Sequence, residues 1–251
     1  MRVDVRDLDA EVVADALWQH GPASVLEGDG WLEAGFASED AAERVASSLP
    51  WPAAVEVVAD DSWQDAWRAH AGVVEEGGIV VVPAWRPVVV IDPGTAFGSG
   101  SHPSTRLCLR ALSSLVGAST SVLDVGCGSG VLAIAAARLG AGRVVGIDVA
   151  SEAVEATKGN AARNGVVVEA RHAVIDDVDE TFDVVVANIG AAVLRSMATP
   201  LTRRVDGALV LAGLLDDQVP DVVAAFSADL DLAACESLDG WSAPVLQRSS
   251  R

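Results

Sequence analysis

Residues 123–136 read Leu-Asp-Val-Gly-Cys-Gly-Ser-Gly-Val-Leu-Ala-Ile-Ala-Ala, an order that suits a turn built to hold a ligand. An apolar run leads into Asp124, then Gly126, Gly128 and Gly130 follow on alternate positions, and a helical pattern starts at once. Glycines let the backbone turn tightly and approach a ligand closely. The start of a helix adds free N–H groups and the positive end of its dipole. Two ligand classes use this geometry. Dinucleotides favour Gly-x-Gly-x-x-Gly, with the pyrophosphate on the helix end, but the third glycine of that pattern is Val131 here. Binders of S-adenosylmethionine, which has no pyrophosphate, commonly read acid-x-Gly-x-Gly-x-Gly, the pattern of residues 124–130. Asp124, Gly126 and Gly128 are therefore candidate cofactor residues. The sequence has no Gly-x-x-x-x-Gly-Lys-Ser/Thr, which excludes a P-loop.

Two further polar residues end apolar runs. Asp148 closes Arg-Val-Val-Gly-Ile-Asp, 18 residues past Gly130. An acid at that point can accept hydrogen bonds from both ribose hydroxyls of a nucleoside. The plainer alternative is a cap for the next helix, and the glycine pattern upstream favours the ribose. Asn188 ends the Val- and Ala-rich run of residues 182–190. Its side-chain carbonyl accepts hydrogen bonds and its amide donates them, so beside an activated methyl it could orient an amine nucleophile. Taken alone, such an Asn reads more readily as a turn or helix cap.

Residues 92–106, Asp-Pro-Gly-Thr-Ala-Phe-Gly-Ser-Gly-Ser-His-Pro-Ser-Thr-Arg, are too polar and too rich in glycine for a strand. His102 is tempting there as a base, but a structural hydrogen bond or a helix cap is the expectation.

These residues need a scaffold, and the chain has the means to build one. It has 251 residues, 51% of them hydrophobic and 21% charged, enough for a sizeable core. No apolar run approaches the ~18 residues of a membrane span, and the start of the chain lacks the apolar segment of a signal peptide. The expectation is a soluble, cytoplasmic protein with no membrane role. The cysteines, Cys108, Cys127 and Cys235, are scattered, which speaks against disulfides and a zinc site. The net charge of −19 disfavours direct binding to nucleic acid and would attract a basic partner at long range. General solubility also explains that charge.

Residues 1–59 read strand–helix–strand–strand–helix–strand, a ferredoxin-like α+β domain. Leu8, Val12, Val13, Ala16 and Leu17 are spaced as one helix face, and Gly28-Asp29-Gly30 marks a hairpin. Residues 60–91 form a linking region, with a helix carrying Trp63 and Trp67 and a strand broken by Pro83. From residue 92 to 251 strands alternate with helices, including one helix over 191–205. This is the signature of a doubly wound, mostly parallel sheet with its ligand at the carboxyl ends of the strands.

The stretches Asp92–Leu109, Val122–Ala141, Gly146–Val166 and Asp183–Ile189 together closely resemble the PrmA family, methyltransferases of the eleventh large-subunit ribosomal protein. The resemblance covers about residues 60–240. It implies a class I (Rossmann-like) methyltransferase domain behind a small substrate-recognition domain, with S-adenosyl-L-methionine as cofactor. It implies that Thr105 contacts the cofactor, Gly126 begins the turn beneath it, Asp148 holds the ribose, and Asn188 lies where the methyl meets the amine. Phe97 would serve as an apolar cover. Two departures stand out: Ser99 and Ser101 where the family often has Thr, and Gly190 where it usually has Leu after Asn-Ile.

The implied activity is methyl transfer to lysine side chains and the N-terminal α-amine of that ribosomal protein, and the acidic chain suits a basic target. Positioning supplies most of the rate of such a transfer. The amine must be neutral, and burial lowers the pKa of a lysine from its usual value near ~10.4. No dedicated general base is evident. The alternatives are a lysine methyltransferase for another protein, such as an electron-transfer flavoprotein subunit, a nicotinamide-dependent oxidoreductase, or a non-catalytic ribosome-binding module. Val131 and the lack of a proton-relay pair count against the oxidoreductase, and Asp148 with Asn188 against the inert module.

Overall fold

The structure, a computed structural model, describes residues 1–57, 73–76, 78–92, 98 and 100–248. It divides into two compact units, Met1–Pro83 and Ala84–Arg251. The expected helix around Trp63 and Trp67 lies outside the described residues.

The first unit contains β1 (Arg2–Asp4), α1 (Ala10–Trp18), β2 (Ser24–Gly28), β3 (Trp31–Gly35), α2 (Glu39–Ser48) and β4 (Ala53–Ala54), then a separate hairpin of β5 (Val74–Glu76) and β6 (Ile79–Val81). The sheet order β4-β1-β3-β2, antiparallel throughout, is the ferredoxin-like one. Asp9 and Ser38 start the two helices by accepting from the N–H groups of Glu11 and Ala41. The buried stripe of α1 is narrower than its spacing predicts. Val13 and Leu17 pack into a core with Val3, Leu32 and Val45, whereas Leu8 and Val12 face solvent. A nine-residue helix on one face of a small sheet buries only the positions directly over the strands.

The second unit contains α3 (Pro103–Leu115), β7 (Ser121–Val125), α4 (Val131–Arg138), β8 (Arg143–Asp148), α5 (Ser151–Arg163), β9 (Glu169–His172), β10 (Phe182–Asn188), α6 (Ala191–Ser196), α7 (Ala198–Arg204), β11 (Val205–Ala212), β12 (Leu214–Leu215), α8 (Val219–Phe226), β13 (Leu230–Leu238) and β14 (Trp241–Arg248). The main path of its sheet is β13-β14-β11-β10-β7-β8-β9, with β12 also paired to β14. Strands β7 to β11 run parallel, and β14 is antiparallel to β11.

Alternating side chains of these strands feed two cores. Leu123, Val145, Val185 and Leu209 face one way, towards a core shared with α6, α7 and α8. Val122, Val144, Val184 and Val210 face the other way, towards α3 and α4. Each fully buried apolar side chain of this size contributes ~1.5–3 kcal/mol. The single helix expected over 191–205 is two, broken at Met197 with φ −98° and ψ 8°. Pro200 explains the break: its ring would clash with the carbonyl of Ser196 in a continuous helix, but it is tolerated in the first turn of α7.

From β7 the chain winds to β8 and β9 on one side, then returns to β10 and β11 on the other. The crevice of such a sheet opens at the carboxyl ends of β7 and β10, where the winding reverses.

Candidate functional site

Strand β7 delivers Asp124 and Val125 to that crevice, and the glycine turn follows. Gly126, Gly128 and Gly130 have φ of +76°, +56° and +82°, a region L-residues with side chains rarely adopt. The turn is pinned from several sides. The N–H groups of Gly126 and Cys127 both donate to the carbonyl of Ile147, at 2.9 and 3.0 Å. Thr157 Oγ1 donates to the Gly128 carbonyl at 3.1 Å, and Asn160 Nδ2 to the Ser129 carbonyl at 2.9 Å. A Cβ on Gly126 would lie 2.8 Å from Ile189 Cγ2, so the turn is packed against the segment that follows β10.

Asp124 is 1% exposed, and its Oδ2 accepts from the N–H of Ala133 in the first turn of α4, at 3.0 Å. Burial raises its carboxyl to about 7, against the Ala133 hydrogen bond and with help from the charge of Asp148. The residue supports the turn from within the fold, and any effect on a ligand passes through the turn. It engages one of the free N–H groups at the start of α4. Val131 stands where the third glycine of a dinucleotide turn would be. Burial also raises the Cys127 thiol, to about 12, so it is no nucleophile.

Asp148 ends β8 beside the turn. Its Oδ2 accepts from Gly128 N–H at 3.0 Å and its Oδ1 from Ala150 N–H at 2.9 Å. A carboxylate has about four acceptor positions, so each oxygen can take a further hydroxyl. Through Ala150 it also fixes the turn ahead of α5, although the cap position of that helix is Ala150 and takes no side-chain hydrogen bond.

Asn188 ends β10, and its Nδ2 donates to Thr105 Oγ1 at 3.3 Å. Thr105 is 1% exposed in the first turn of α3. Two residues 83 positions apart in the chain thus meet. With its amide nitrogen held there, Asn188 has no partner among the described residues for its carbonyl oxygen. His102 is the cap of α3: its Nδ1 accepts from Ser104 N–H at 3.3 Å. A Cβ on Gly190 would meet no atom within 4 Å. Phe97 lies outside the described residues.

Sequence reasoning missed Trp241, whose ring meets His102 edge-on with centroids 4.6 Å apart. Trp241 opens β14 after the turn Asp239-Gly240, both with positive φ. Asp-Gly between two apolar runs is a strong hairpin signal and could have placed it.

The family model described as ribosomal protein L11 methyltransferase (PrmA) matches residues 2–249. The chain belongs to the PrmA family. A ribosomal protein L11 methyltransferase of Shewanella halifaxensis is 34% identical over 282 residues, covering 96% of this chain and 96% of its own length. A relative of the same description from Dechloromonas aromatica is 39% identical over 235 residues, covering 89% of this chain and 78% of its own. The crystal structure of a ribosomal protein L11 methylase from Lactobacillus delbrueckii subsp. bulgaricus superposes with a TM-score of 0.61 at 29% identity, over 71% of this chain and all of that one. A precorrin-6y methyltransferase of Geobacter metallireducens, at 16% identity and TM-score 0.51, shares the fold alone. The PrmA fold of this chain is thus a class I, Rossmann-like methyltransferase unit with a small ferredoxin-like unit before it. Among the described residues, no helix is long and apolar enough to cross a membrane, and no cluster of His, Cys, Asp and Glu could hold a metal ion.

Proposed function

We propose that this protein transfers methyl groups from S-adenosyl-L-methionine to amines of ribosomal protein L11, on lysine side chains and the N-terminal α-amine. The observation that carries the reading is the Asn188–Thr105 pair at the crevice, beside the glycine turn that follows Asp124. When bound, the cofactor supplies a methyl group activated by a sulfonium.

The chain's own residues do the rest. Asp148 accepts the ribose hydroxyls while it keeps Gly128 and Ala150 in place. The glycine turn lets the cofactor approach the backbone closely. Thr105 holds Asn188 Nδ2, which leaves the Asn188 carbonyl to accept an N–H of the incoming amine and to aim the nitrogen lone pair. Desolvation at the crevice favours the neutral amine, and alignment gives most of the rate. No residue here needs to act as a nucleophile. The proton leaves with water.

The first unit is the part we assign to recognition of the protein substrate. The sheet face that carries Arg2, Asp4 and Trp31 lines a cavity of about 590 Å³, with the Arg2 guanidinium 4.1 Å over the Trp31 ring. The net charge of −19 suits a basic protein target in the cytoplasm.

The test is a transfer assay with methyl-labelled S-adenosylmethionine and unmethylated ribosomal proteins from the same organism, read by peptide mass spectrometry. Label on amines of L11 is the expected result. Label on a different protein would keep the chemistry and replace the target. Bound cofactor without any transfer would reject the enzyme reading.

A further inference from the structure

Asn160, in the last turn of α5, and Asn164, its C-cap, stand four residues apart and are only 1% and 4% exposed. A primary amide is buried at a cost unless its donors and its acceptor are engaged, and both of these are. Asn164 Oδ1 accepts from Val90 N–H at 2.8 Å, and its Nδ2 donates to the carbonyls of Val90 and Asn160. Asn160 treats Asp92 in the same way, accepting from its N–H and donating to its carbonyl, both at 2.9 Å. Residues on neighbouring turns of a helix lie ~5–6 Å apart, close to the spacing of alternate residues in an extended chain. The two amides therefore hold residues 90 and 92 as a neighbouring strand would.

Asn160 goes further than Asn164. The same Nδ2 donates to the Ser129 carbonyl inside the glycine turn, and Ser129 Oγ donates to the Gly98 carbonyl at 2.6 Å. Asp92 and Gly98, at either end of residues 93–97, are thus both fastened to the pair Ser129–Asn160. Carbonyl and N–H of a trans peptide point in opposite directions. Drawing the Ser129 carbonyl onto Asn160 therefore aims Gly130 N–H at the Cys127 carbonyl, which it meets at 2.8 Å.

We propose that Asn160 is a positioning residue for the cofactor turn, setting the glycine turn and the chain that leads to Thr105 in one common frame. The inference rests on the reading that the turn holds S-adenosylmethionine.

The experiment compares the full chain with Asn160→Ala and Asn164→Ala. Asn164 makes the same kind of clamp without touching the turn. Calorimetric titration with S-adenosylmethionine should show affinity weakened about tenfold in Asn160→Ala, the effect of one lost buried hydrogen-bond group, and unchanged in Asn164→Ala, although both lower Tm. Hydrogen exchange of peptides over residues 126–132 should accelerate in Asn160→Ala alone. Wild-type affinity and protection in Asn160→Ala, or equal effects in the two variants, would overturn the proposal.

Should Asn160→Ala not fold, Asn160→Asp serves. It keeps the size and the acceptor for Asp92 N–H and Arg163 but removes the donors, and normal affinity there overturns the proposal equally. A wild-type chain that does not bind S-adenosylmethionine rejects the parent reading, and the exchange comparison still decides this one.

Discussion

Asp148 is bonded through both oxygens before any ligand arrives, to Gly128 N–H and to Ala150 N–H. A carboxylate so held keeps a free acceptor position on each oxygen, as the proposed ribose contact requires. Each hydrogen bond to a charged group is worth ~1.5–3 kcal/mol, so losing two in Asp148→Ala should weaken S-adenosylmethionine binding by at least about 100-fold. Calorimetric titration checks this, and unchanged affinity would remove the ribose assignment. The place of Asp148 was legible because it is local: a strand end a fixed distance past a glycine turn. Asn160 was not legible, although it sits in one of the stretches that carry the family resemblance. On a helix a pair of Asn residues four apart reads as a polar face. Only the fold brings Val90 and Asp92, some 70 residues earlier, against them. The contact of Trp241 with His102 was hidden for the same reason.

Among the elements, the junction of β7 and α4 has a consequence for pH. The Asp124 carboxyl titrates near 7 in the folded chain, against 3.8 as its ordinary value. Between those values the folded state keeps a proton that the unfolded state has lost. The stability this proton confers is complete below about pH 4 and is lost as pH rises through about 7. Asp124→Asn cannot titrate, and its carbonyl can still accept from Ala133. Thermal unfolding of the cofactor-free chain between pH 5 and 8 should therefore fall less steeply in the variant than in the wild type. Parallel pH profiles would show that this carboxyl does not titrate in that range. Element types followed well from period and punctuation: the strands of the doubly wound sheet and the hairpin at Gly28-Asp29-Gly30 read directly. The break at Met197 did not, because residues 191–205 keep a helical composition and Pro200 can be read as tolerated or disruptive until its neighbours are known.

At the scale of the molecule, the two units have separate cores, one around Val3, Val13 and Leu32 and the others on the two faces of the large sheet. A chain starting at Ala84 should keep its affinity for S-adenosylmethionine and lose methylation of the protein substrate. Full activity towards the protein would remove the recognition role from the first unit. The acidic charge should also show in kinetics. If attraction steers a basic substrate, kcat/KM should fall as ionic strength rises, because exposed charges are screened beyond ~10 Å at 0.1 M salt.

The position of β14 bears on how the protein is made. It is the last of the sheet's strands to be synthesised, yet it lies between β11 and β13 and carries Trp241 to His102. While a ribosome is still adding residues 241–248, β13 has no neighbour in the sheet and β11 presents an open edge. The first unit can fold during translation, but the second must wait for its final strand. A nascent chain arrested before Trp241 should accordingly show a protease-resistant first unit and a digestible second one. An enzyme proposed to modify a ribosomal component would then complete its own sheet only once Trp241–Arg248 has been made.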